Sequence, residues 1–587
     1  MVKSQPRWIV ALAALLVVML LVWAAMRWIS NSASNEPLME TAVPGATVTP
    51  QLPALPTATP GPQPQPGGTV VELVARSADT FNPLLTTNRT SLAVAAKLYP
   101  ALLGQDPQTG TIVLTGLATE WTVSPDGRLY TFHLTDQAVW SDGVPVTAAD
   151  FAFTYGAVAD AGVQSPYRTV TEKIMAITTP DAHTVVVTLA EPDCDLPYAL
   201  TLPWLPSHRY APDFSDIRTN PLNLAPSVSA GPLLFAGTEA DGSVRLTRNP
   251  DFWAGPVWMD GWSYRVESDP AQRLTLLATG EADLALLPAS AVIADPPGPG
   301  LVAYEFADDG YSFVAVNLAD PGEPVPGVDA NGDPVHQPPH PVLGQGAVRQ
   351  ALARSLDVDR LIREVYAGYG ERLTSFVLPT LAFAYAQDLP PVAYDPAAAG
   401  ALLDGAGWTL NGAAIRQKEG KLLRLSLLVN DDDPVRVALG AAIQSQWQAV
   451  GFDIALEKAD FAQVTGALFD QTYDLVLTGW ADLGAVPTDE RFWRGEEDLP
   501  GAGLNFTSYA NPEVAAALSA ARHLPGCDPT QRAQRYTQAQ TQIQTDAPYL
   551  FLSVQKTTLV YADRWLGIDP GPWGYDGNLA DWFLTLK

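Results

Sequence analysis

An apolar run near the N-terminus restricts this 587-residue chain more than any other feature of the sequence. Residues 8–26 include no charged side chain, and as a helix these 19 residues would be roughly 28 Å long, close to the hydrocarbon thickness of a bilayer. Lys3 and Arg7 precede the run, so the positive-inside rule keeps the N-terminus cytoplasmic and exports the remainder. We therefore expect residues 1–30 to form a transmembrane signal anchor.

A cleaved signal peptide is the alternative interpretation of the same run. Its apolar region would normally be shorter, about 7–15 residues, but Ser32 and Ser34 provide a small-x-small cleavage site. No cysteine follows the run, which excludes a lipoprotein anchor. Both interpretations place the rest of the chain on the extracellular face of the membrane or in the periplasm, either tethered or released.

Residues 31–68 have a composition that disfavours folding. They contain nine prolines and neither lysine nor arginine. A Pro/Thr/Gln-rich segment of this kind buries too little apolar surface to offset its conformational entropy. We expect a disordered linker that holds the folded body away from the membrane.

The charge and the cysteine content exclude several classes of protein. Asp and Glu total 63 against 34 Lys and Arg, and this balance of −29 argues against binding to nucleic acid, whose phosphates need a basic face. Only two cysteines are present, Cys194 and Cys527, which is too few for a cysteine zinc cage. Whether they form a disulfide is left open, because sequence does not show spatial proximity.

From residue 69 onward, short apolar runs alternate with turn signals. The turn at residues 124–127 (SPDG) lies between Trp121 and the run at residues 129–134, which predicts a β-hairpin. Residues 434–451 have apolar side chains at helical spacing behind an acidic capping run, and residues 346–368 predict two helices that break near Asp357. Interleaved helices and strands predict a mixed α/β body.

Motifs for catalysis, metal binding and nucleotide binding do not occur. The sequence contains no GxxxxGK[ST], GxSxG or HExxH pattern. The prolines between His336 and His340 are incompatible with a helical ligand pair, and the calcium-loop pattern that begins at Asp329 lacks the acid required at its twelfth position. We expect no catalytic residue, no metal site and no cofactor, and therefore a protein that is not an enzyme.

Several segments, in order and over some 500 residues, resemble the peptide/nickel-type substrate-binding components of ABC importers, extracellular solute-binding protein family 5. The most specific block looks like that family's "DG-x-x-YTF-x-L … W-x-DG-x-P-x-TA-x-D". The matching segments are residues 126–134 (DGRLYTFHL), 139–143 (VWSDG), 145–150 (PVTAAD), 246–253 (LTRNPDFW), 280–283 (GEAD), 446–451 (QWQAVG) and 546–551 (DAPYLF).

The resemblance implies a two-lobed, type II periplasmic-binding-protein-like fold with an extra subdomain on lobe one, here preceded by the single N-terminal transmembrane helix. We expect lobe one at residues 69–305, with the subdomain inserted at roughly 87–228. Lobe two would then cover residues 306–499, and residues 500–587 would return to lobe one. Ligand would bind between the lobes, which close about a hinge.

The resemblance also implies a set of ligand-binding residues. In peptide-binding members an aspartate just past a Gly-Trp pair meets the α-ammonium of the peptide, and the corresponding residue here is Asp482, with Trp480 as a pocket wall. Tyr311, Asn505 and Asn82 are further candidates, because they lie near the expected strand ends and lobe crossings. A strand-end acid that caps a turn is the alternative role for Asp482.

Two departures from the family pattern weaken the case for a peptide ligand. The family often has a second acid after the Gly-Trp pair, where this chain has residues 485–487 (AVP). It also commonly has a Tyr-Glu-x-Leu segment, where this chain has Pro100 in place of the glutamate.

The expected function is that of a monomeric substrate-binding component that captures oligopeptides and delivers them to a membrane permease. The alternatives are a non-peptide solute, such as an oligosaccharide or a cationic or metal complex, and a surface sensor with the same fold. The sequence identifies neither the ligand nor the partner permease.

Overall fold

The computed structural model describes residues 64–481 and 483–585. Among these residues, no helix combines the length and the apolar character needed to cross a bilayer. The predicted anchor at residues 1–30 lies outside the described residues, as do residues 31–63 of the predicted linker and Asp482. The described residues belong to one compact unit.

The body consists of interleaved helices and strands, as the sequence predicts. The helices are α1 (Arg89–Leu98), α2 (Ala148–Ala159), α3 (Leu196–Ala199), α4 (Pro270–Ala278), α5 (Ala289–Ala294), α6 (Gly346–Arg354), α7 (Val358–Val365), α8 (Pro396–Gly405), α9 (Pro434–Gln448), α10 (Phe461–Phe469), α11 (Pro512–Arg522) and α12 (Pro529–Asp546).

The strands range from two residues to fourteen. They are β1 (Thr69–Val74), β2 (Gly104–Gln105), β3 (Ile112–Val113), β4 (Ala118–Val123), β5 (Leu129–Leu134), β6 (Ile174–Asp181), β7 (Thr184–Leu189), β8 (Leu233–Thr238), β9 (Val244–Arg248), β10 (Gly261–Val266), β11 (Leu284–Pro288), β12 (Leu301–Ala307), β13 (Tyr311–Val316), β14 (Gly370–Arg372), β15 (Thr409–Leu410), β16 (Arg416–Lys418), β17 (Lys421–Leu422), β18 (Arg424–Asn430), β19 (Asp453–Ala459), β20 (Leu475–Trp480), β21 (Tyr549–Ala562), β22 (Trp565–Leu566) and β23 (Phe583–Leu584).

A 12-stranded mixed sheet runs through the body in the order β19-β18-β20-β13-β21-β11-β1-β10-β9-β8, and β12 and β14 also pair with β21. The 14-residue strand β21 joins its two parts. Near its start β21 pairs with β13, for example Phe551 opposite Phe313, and towards its end it pairs with β11 and β12.

A separate four-stranded antiparallel sheet, β4-β5-β7-β6, lies within residues 87–228, which we call the insert. The predicted hairpin is confirmed: β4 and β5 pair around the turn in which the Gly127 amide donates to the Ser124 carbonyl. Gly127 has φ +72°, a conformation that glycine adopts without the cost of a Cβ clash. Helix α2 packs against β6 and β7 of this sheet, and the ring of its Phe151 also meets that of Trp204.

The predicted helices are confirmed together with their starts. Helix α9 begins at Pro434, and the carboxylate of Asp433 accepts from the amides of Val435 and Arg436. Proline at the first helical position needs no hydrogen-bond partner for its nitrogen, so Asp-Pro is a favourable helix start. The predicted break near Asp357 is also confirmed, because Asp357 caps α7 directly after α6 has ended.

The described residues form four hydrophobic cores. We assign each residue to a lobe by the core in which it packs. Lobe one contains β1, β8–β12 and the insert around two of the cores. Lobe two contains β13, β18–β20 and the start of β21 around the other two. Helices α11 and α12 pack with lobe two, through Val514, Leu518 and Ile543.

Candidate ligand-binding cleft

The main candidate site is a cavity of about 560 Å³ between the insert of lobe one and the segment that follows β20 in lobe two. Ten of its 22 lining residues have charged side chains, of both signs. The acids are Glu172, Asp193, Asp195, Asp489, Glu490 and Glu497, and the bases are Lys173, Arg491, Arg494 and Arg522. Uncharged lining residues include Thr169, Tyr198, Leu483, Gly484, Ala485 and Val486.

The lobe-two wall is formed by the chain after β20. A short 3₁₀ helix, Glu490–Trp493, begins where the Asp489 carboxylate accepts from the Arg491 amide at 3.0 Å. The same carboxylate accepts two hydrogen bonds from the Arg491 guanidinium, through Nε at 3.0 Å and Nη2 at 2.5 Å. Trp493 anchors this helix in the core of lobe two.

The carboxylate of Glu490 is the most enclosed acid of the lobe-two wall, at 5% exposure. Three cations from different elements surround it: Arg494 at 3.6 Å, Lys173 at 3.8 Å and Arg522 at 4.0 Å. Lys173 belongs to the insert, so its pair with Glu490 joins the two lobes. Because Glu490 is buried, these cations interact with it more strongly than they would with an exposed carboxylate.

The insert contributes Asp193 and Asp195 to the opposite wall. Asp193 accepts from Nε and Nη2 of Arg522 at 3.0 and 2.9 Å, and Asp195 accepts from Nη2 of Arg532 at 2.6 Å. Burial raises the pKa of the Asp195 carboxyl, and the Arg532 guanidinium opposes that rise. Burial disfavours the charged form of Arg522, but its hydrogen bonds with Asp193 and the negative charges of Asp193, Asp195 and Glu490 together outweigh this, so its pKa is raised.

The two cysteines form a disulfide in this wall, which resolves the question left open by the sequence. Cys194 lies between the two aspartates and is bonded to Cys527 in the loop between α11 and α12. Such a bond is typical of proteins that function in an oxidising compartment.

Trp480 ends β20 and lies beside the cavity without being one of its described lining residues. Its ring stacks on that of Phe492 at 4.3 Å between centroids and faces Phe506 at 5.8 Å. It therefore supports the 3₁₀ helix that carries Glu490. Its predicted contact with ligand stays a prediction.

Tyr311 is the first residue of β13 and is paired in register with Trp480. Its side chain is buried, and its ring packs against Phe313 and Phe551. Burial raises the pKa of its hydroxyl well above the ordinary value. Its predicted ligand contact is likewise untested.

The amide side chains of Asn82 and Asn505 are buried and hydrogen bonded within the protein. Asn82 accepts from the Leu84 amide at 3.0 Å and donates to Asn223 Oδ1 at 2.9 Å. Asn505 donates to the carbonyls of Arg494 and Tyr509, at 3.0 and 2.7 Å. Both residues shape turns, and a direct contact with ligand stays a prediction for each.

Asp482 lies outside the described residues, but Leu483 and Gly484, which follow it, line the cavity. Sequence reasoning did not single out Lys173, Asp193, Asp195, Glu490 or Arg522. Their role depends on pairs some 300 residues apart along the chain, for which a single sequence gives no signal. The one available clue was a cysteine flanked by two aspartates, as in residues 193–195.

Residues 113–493 match the sequence profile described as bacterial extracellular solute-binding proteins, family 5. The chain is 29% identical over 514 residues to Protein XP55 of Streptomyces lividans, a match that covers 85% of this chain and 86% of that protein. It is 28% identical over 466 residues to a Brucella ovis protein named as an ABC transporter peptide-binding protein, over 78% of this chain and 81% of the relative.

The fold matches that of the oligopeptide-binding protein AppA of Bacillus subtilis, solved in complex with a nonapeptide. The TM-score is 0.68 at 22% identity, and the match covers 89% of this chain and all of that one. A likeness at this identity shows the fold, here the mixed α/β periplasmic-binding-protein-like fold. The sequence profile, which spans more than half of the chain, shows the family. The chain belongs to the bacterial extracellular solute-binding proteins of family 5.

Proposed function

We propose that this protein is the substrate-binding component of an ABC importer, which captures oligopeptides between its lobes and delivers them to a membrane permease. The observation that carries the proposal is the cavity between the lobes, with charges of both signs on its walls. The name of the Brucella relative and the nonapeptide bound to AppA support the same class of ligand.

The chemistry of the walls suits a peptide, which carries an ammonium group, a carboxylate and several backbone amides. The acids of the lining can contact the ammonium group, whereas its bases can contact the carboxylate. A cavity of about 560 Å³ is within the usual range of small-ligand sites. Water between the walls and the ligand would let side chains of different size bind with little loss of affinity.

Asp482 is our proposed partner for the α-ammonium group, because it directly precedes the cavity-lining Leu483. We propose that Trp480 and Tyr311, whose rings both lie against that of Phe313, form an aromatic wall of the same site. We place Asn82 and Asn505 outside the contact set, since their amides are already hydrogen bonded within the protein.

A non-peptide solute is the second candidate. Pro100 stands where the family commonly has a glutamate, and Ala485 and Val486, where the family often has a second acid, line the cavity with apolar side chains. A cavity with apolar side chains in place of this second acid binds an α-ammonium group less favourably. An oligosaccharide or a cationic or metal complex would then be the cargo, or the protein would act as a surface sensor.

The remaining parts of the proposal concern location and organisation. We propose a monomer without catalytic chemistry, held at the outer face of the membrane by residues 1–30 or released after cleavage. We also propose that the chain returns to lobe one within β21 rather than at residue 500, because α11 and α12 pack in the core of lobe two.

The test is native mass spectrometry of the gently purified full-length chain, followed by acid release of whatever co-purifies. We expect a series of short peptides. Asp482→Ala should reduce their retention by about tenfold or more, because loss of a charged hydrogen bond in a desolvated site typically costs more than 1.4 kcal/mol. Asp388→Ala, which changes an exposed acid that is not among the described lining residues, is the control. Release of a sugar or of a single non-peptide solute would refute the peptide proposal.

A further inference from the structure

The chain crosses between the two lobes twice, and both crossings lie in the large sheet. The first is at residues 308–310, between β12 of lobe one and β13 of lobe two. The second lies within β21, where pairing with β13 ends at Ser553 and pairing with β12 begins at Lys556. The two crossings are adjacent, since the Asp308 amide donates to the Gln555 carbonyl at 2.9 Å. Paired crossings of this kind act as a hinge.

The disulfide provides a third covalent link between the lobes, away from the sheet. Cys194 lies in the insert, between β7 and α3, whereas Cys527 lies in the loop between α11 and α12 of lobe two. Their Cα atoms are 5.5 Å apart. Two lobes joined only at a hinge can rotate about it over a wide angle. A further covalent link away from the hinge limits that rotation to what the linked segments can accommodate.

Polar contacts on both sides of the disulfide join the same two segments. The Cys194 amide donates to the Arg522 carbonyl at 2.9 Å. The Asp193 carboxylate accepts two hydrogen bonds from the Arg522 guanidinium, and Asp195 pairs with Arg532. Both ion pairs connect the insert with the α11–α12 hairpin of lobe two, and Asp193, Asp195 and Arg522 line the cavity.

Each end of the link is fixed in its own lobe. On the insert side, the Tyr130 hydroxyl of β5 donates to the Asp193 carbonyl at 3.1 Å. On the lobe-two side, Arg532 Nε donates to the Ala521 carbonyl at 3.0 Å, which ties α12 to α11. The two segments that carry Cys194 and Cys527 therefore have little freedom to move within their own lobes.

We propose that the Cys194–Cys527 disulfide and its two ion pairs form a covalent latch that limits how far the cleft opens. In the oxidised protein the cavity wall formed by residues 193–195 stays attached to lobe two, so solute enters by a partial opening. When a dithiol reductant converts the bond to two thiols and is itself oxidised to a disulfide, only non-covalent contacts remain, and the lobes separate further. This inference rests on the proposed function, because it assumes a cleft that admits and releases a solute.

The test is single-molecule energy transfer on the full-length chain without added solute. Dyes are attached through a non-natural keto amino acid in place of Met175 on β6 and Phe461 at the start of α10, which are each 65% exposed and lie on different lobes. The oxidised chain should give a single narrow distribution of interdye distances. Dithiothreitol should add a population with longer distances, and Cys194→Ser/Cys527→Ser should show that population with or without reductant.

Identical distributions for the oxidised, reduced and Cys194→Ser/Cys527→Ser chains would overturn the latch. Loss of far-ultraviolet circular dichroism on reduction would also overturn it, because the bond would then hold the fold rather than the cleft. Bridging the reduced thiols with dibromobimane should restore the narrow distribution if the link itself is responsible. No solute is required, so the result is independent of whether peptides bind.

Discussion

Glu72 lies on β1 with its carboxylate buried in lobe one, at 4% exposure. It accepts from the Tyr575 hydroxyl at 2.6 Å and from Trp262 Nε1 at 3.0 Å. Lys97 is also buried, over the ring of Trp262, and pairs with Asp576. Burial raises the pKa of Glu72 from its ordinary 4.5 to about 7, although Lys97 opposes the rise.

The raised pKa of Glu72 makes the stability of the protein depend on pH. Between 4.5 and about 7 the folded protein holds a proton on Glu72 that the unfolded chain has lost, so the free energy of unfolding falls as pH rises through this window. At about 1.4 kcal/mol per pH unit, the loss is on the order of 3 kcal/mol. Glu72→Gln should remove this component.

Urea unfolding at about pH 5 and about pH 8 measures the effect. The wild-type chain should lose more stability across this interval than Glu72→Gln does. Glu371→Gln, which changes an exposed carboxylate on β14, should behave as wild type. If the difference between wild type and Glu72→Gln is the same at both pH values, Glu72 titrates normally and the prediction is wrong.

At the scale of elements, the sequence predicts the features whose position is determined by side chains close to them along the chain. The Asp-Pro start of α9, the SPDG turn between β4 and β5, and the break at Asp357 all depend on side chains within four residues of the feature. The extent of β21 depends instead on partners in both lobes. A run of 14 residues that is paired on both sides has no internal signal for where one lobe ends.

The candidate site was less predictable than the fold for the same reason. Leu483 and Gly484 adjoin the predicted Asp482, so the resemblance located one wall of the cavity. The opposite wall is formed by Asp193 with Arg522 and by Asp195 with Arg532, pairs more than 300 residues apart along the chain. Only the fold brings these charges together.

Asp433 tests the local part of this argument. Its carboxylate accepts from the Val435 amide at 2.9 Å and the Arg436 amide at 3.2 Å, which would otherwise lack partners at the start of α9. Asp433→Ala should lower the free energy of unfolding by about 1 kcal/mol, as measured by urea denaturation. Asp431→Ala, an exposed acid two positions earlier, should change it by less than about 0.5 kcal/mol. Equal effects of the two substitutions would show that capping contributes nothing here.

At the scale of the whole molecule, the lobes are joined by buried charges as well as by covalent bonds. Asp195 and Arg532 connect the insert to α12, and both side chains are 8% exposed. A charge taken out of water is costly unless it is paired, so each member of this pair depends on the other. Cation–π contacts of Arg532 with Phe383 and Tyr536 further favour its buried position.

This dependence predicts a strongly non-additive pair of substitutions. Arg532→Leu should destabilise the oxidised protein by about 3 kcal/mol, because it removes the nearer cation from the buried Asp195 carboxylate and leaves only Arg522, at 3.9 Å. Asp195→Leu/Arg532→Leu should recover most of that loss, since no isolated charge then remains. Urea denaturation of the two variants and of Asp195→Leu, with the disulfide intact, gives the coupling free energy.

The exposed pair Arg360–Glu364 on α7 is the matched control, because its side chains are 56% and 54% exposed. Arg360→Leu should change the free energy of unfolding by less than about 0.5 kcal/mol, as solvent screens the remaining charge. If Arg532→Leu were as mild as Arg360→Leu, water would have to reach Asp195 in the folded protein. The Asp195–Arg532 pair would then contribute nothing to holding the insert against lobe two.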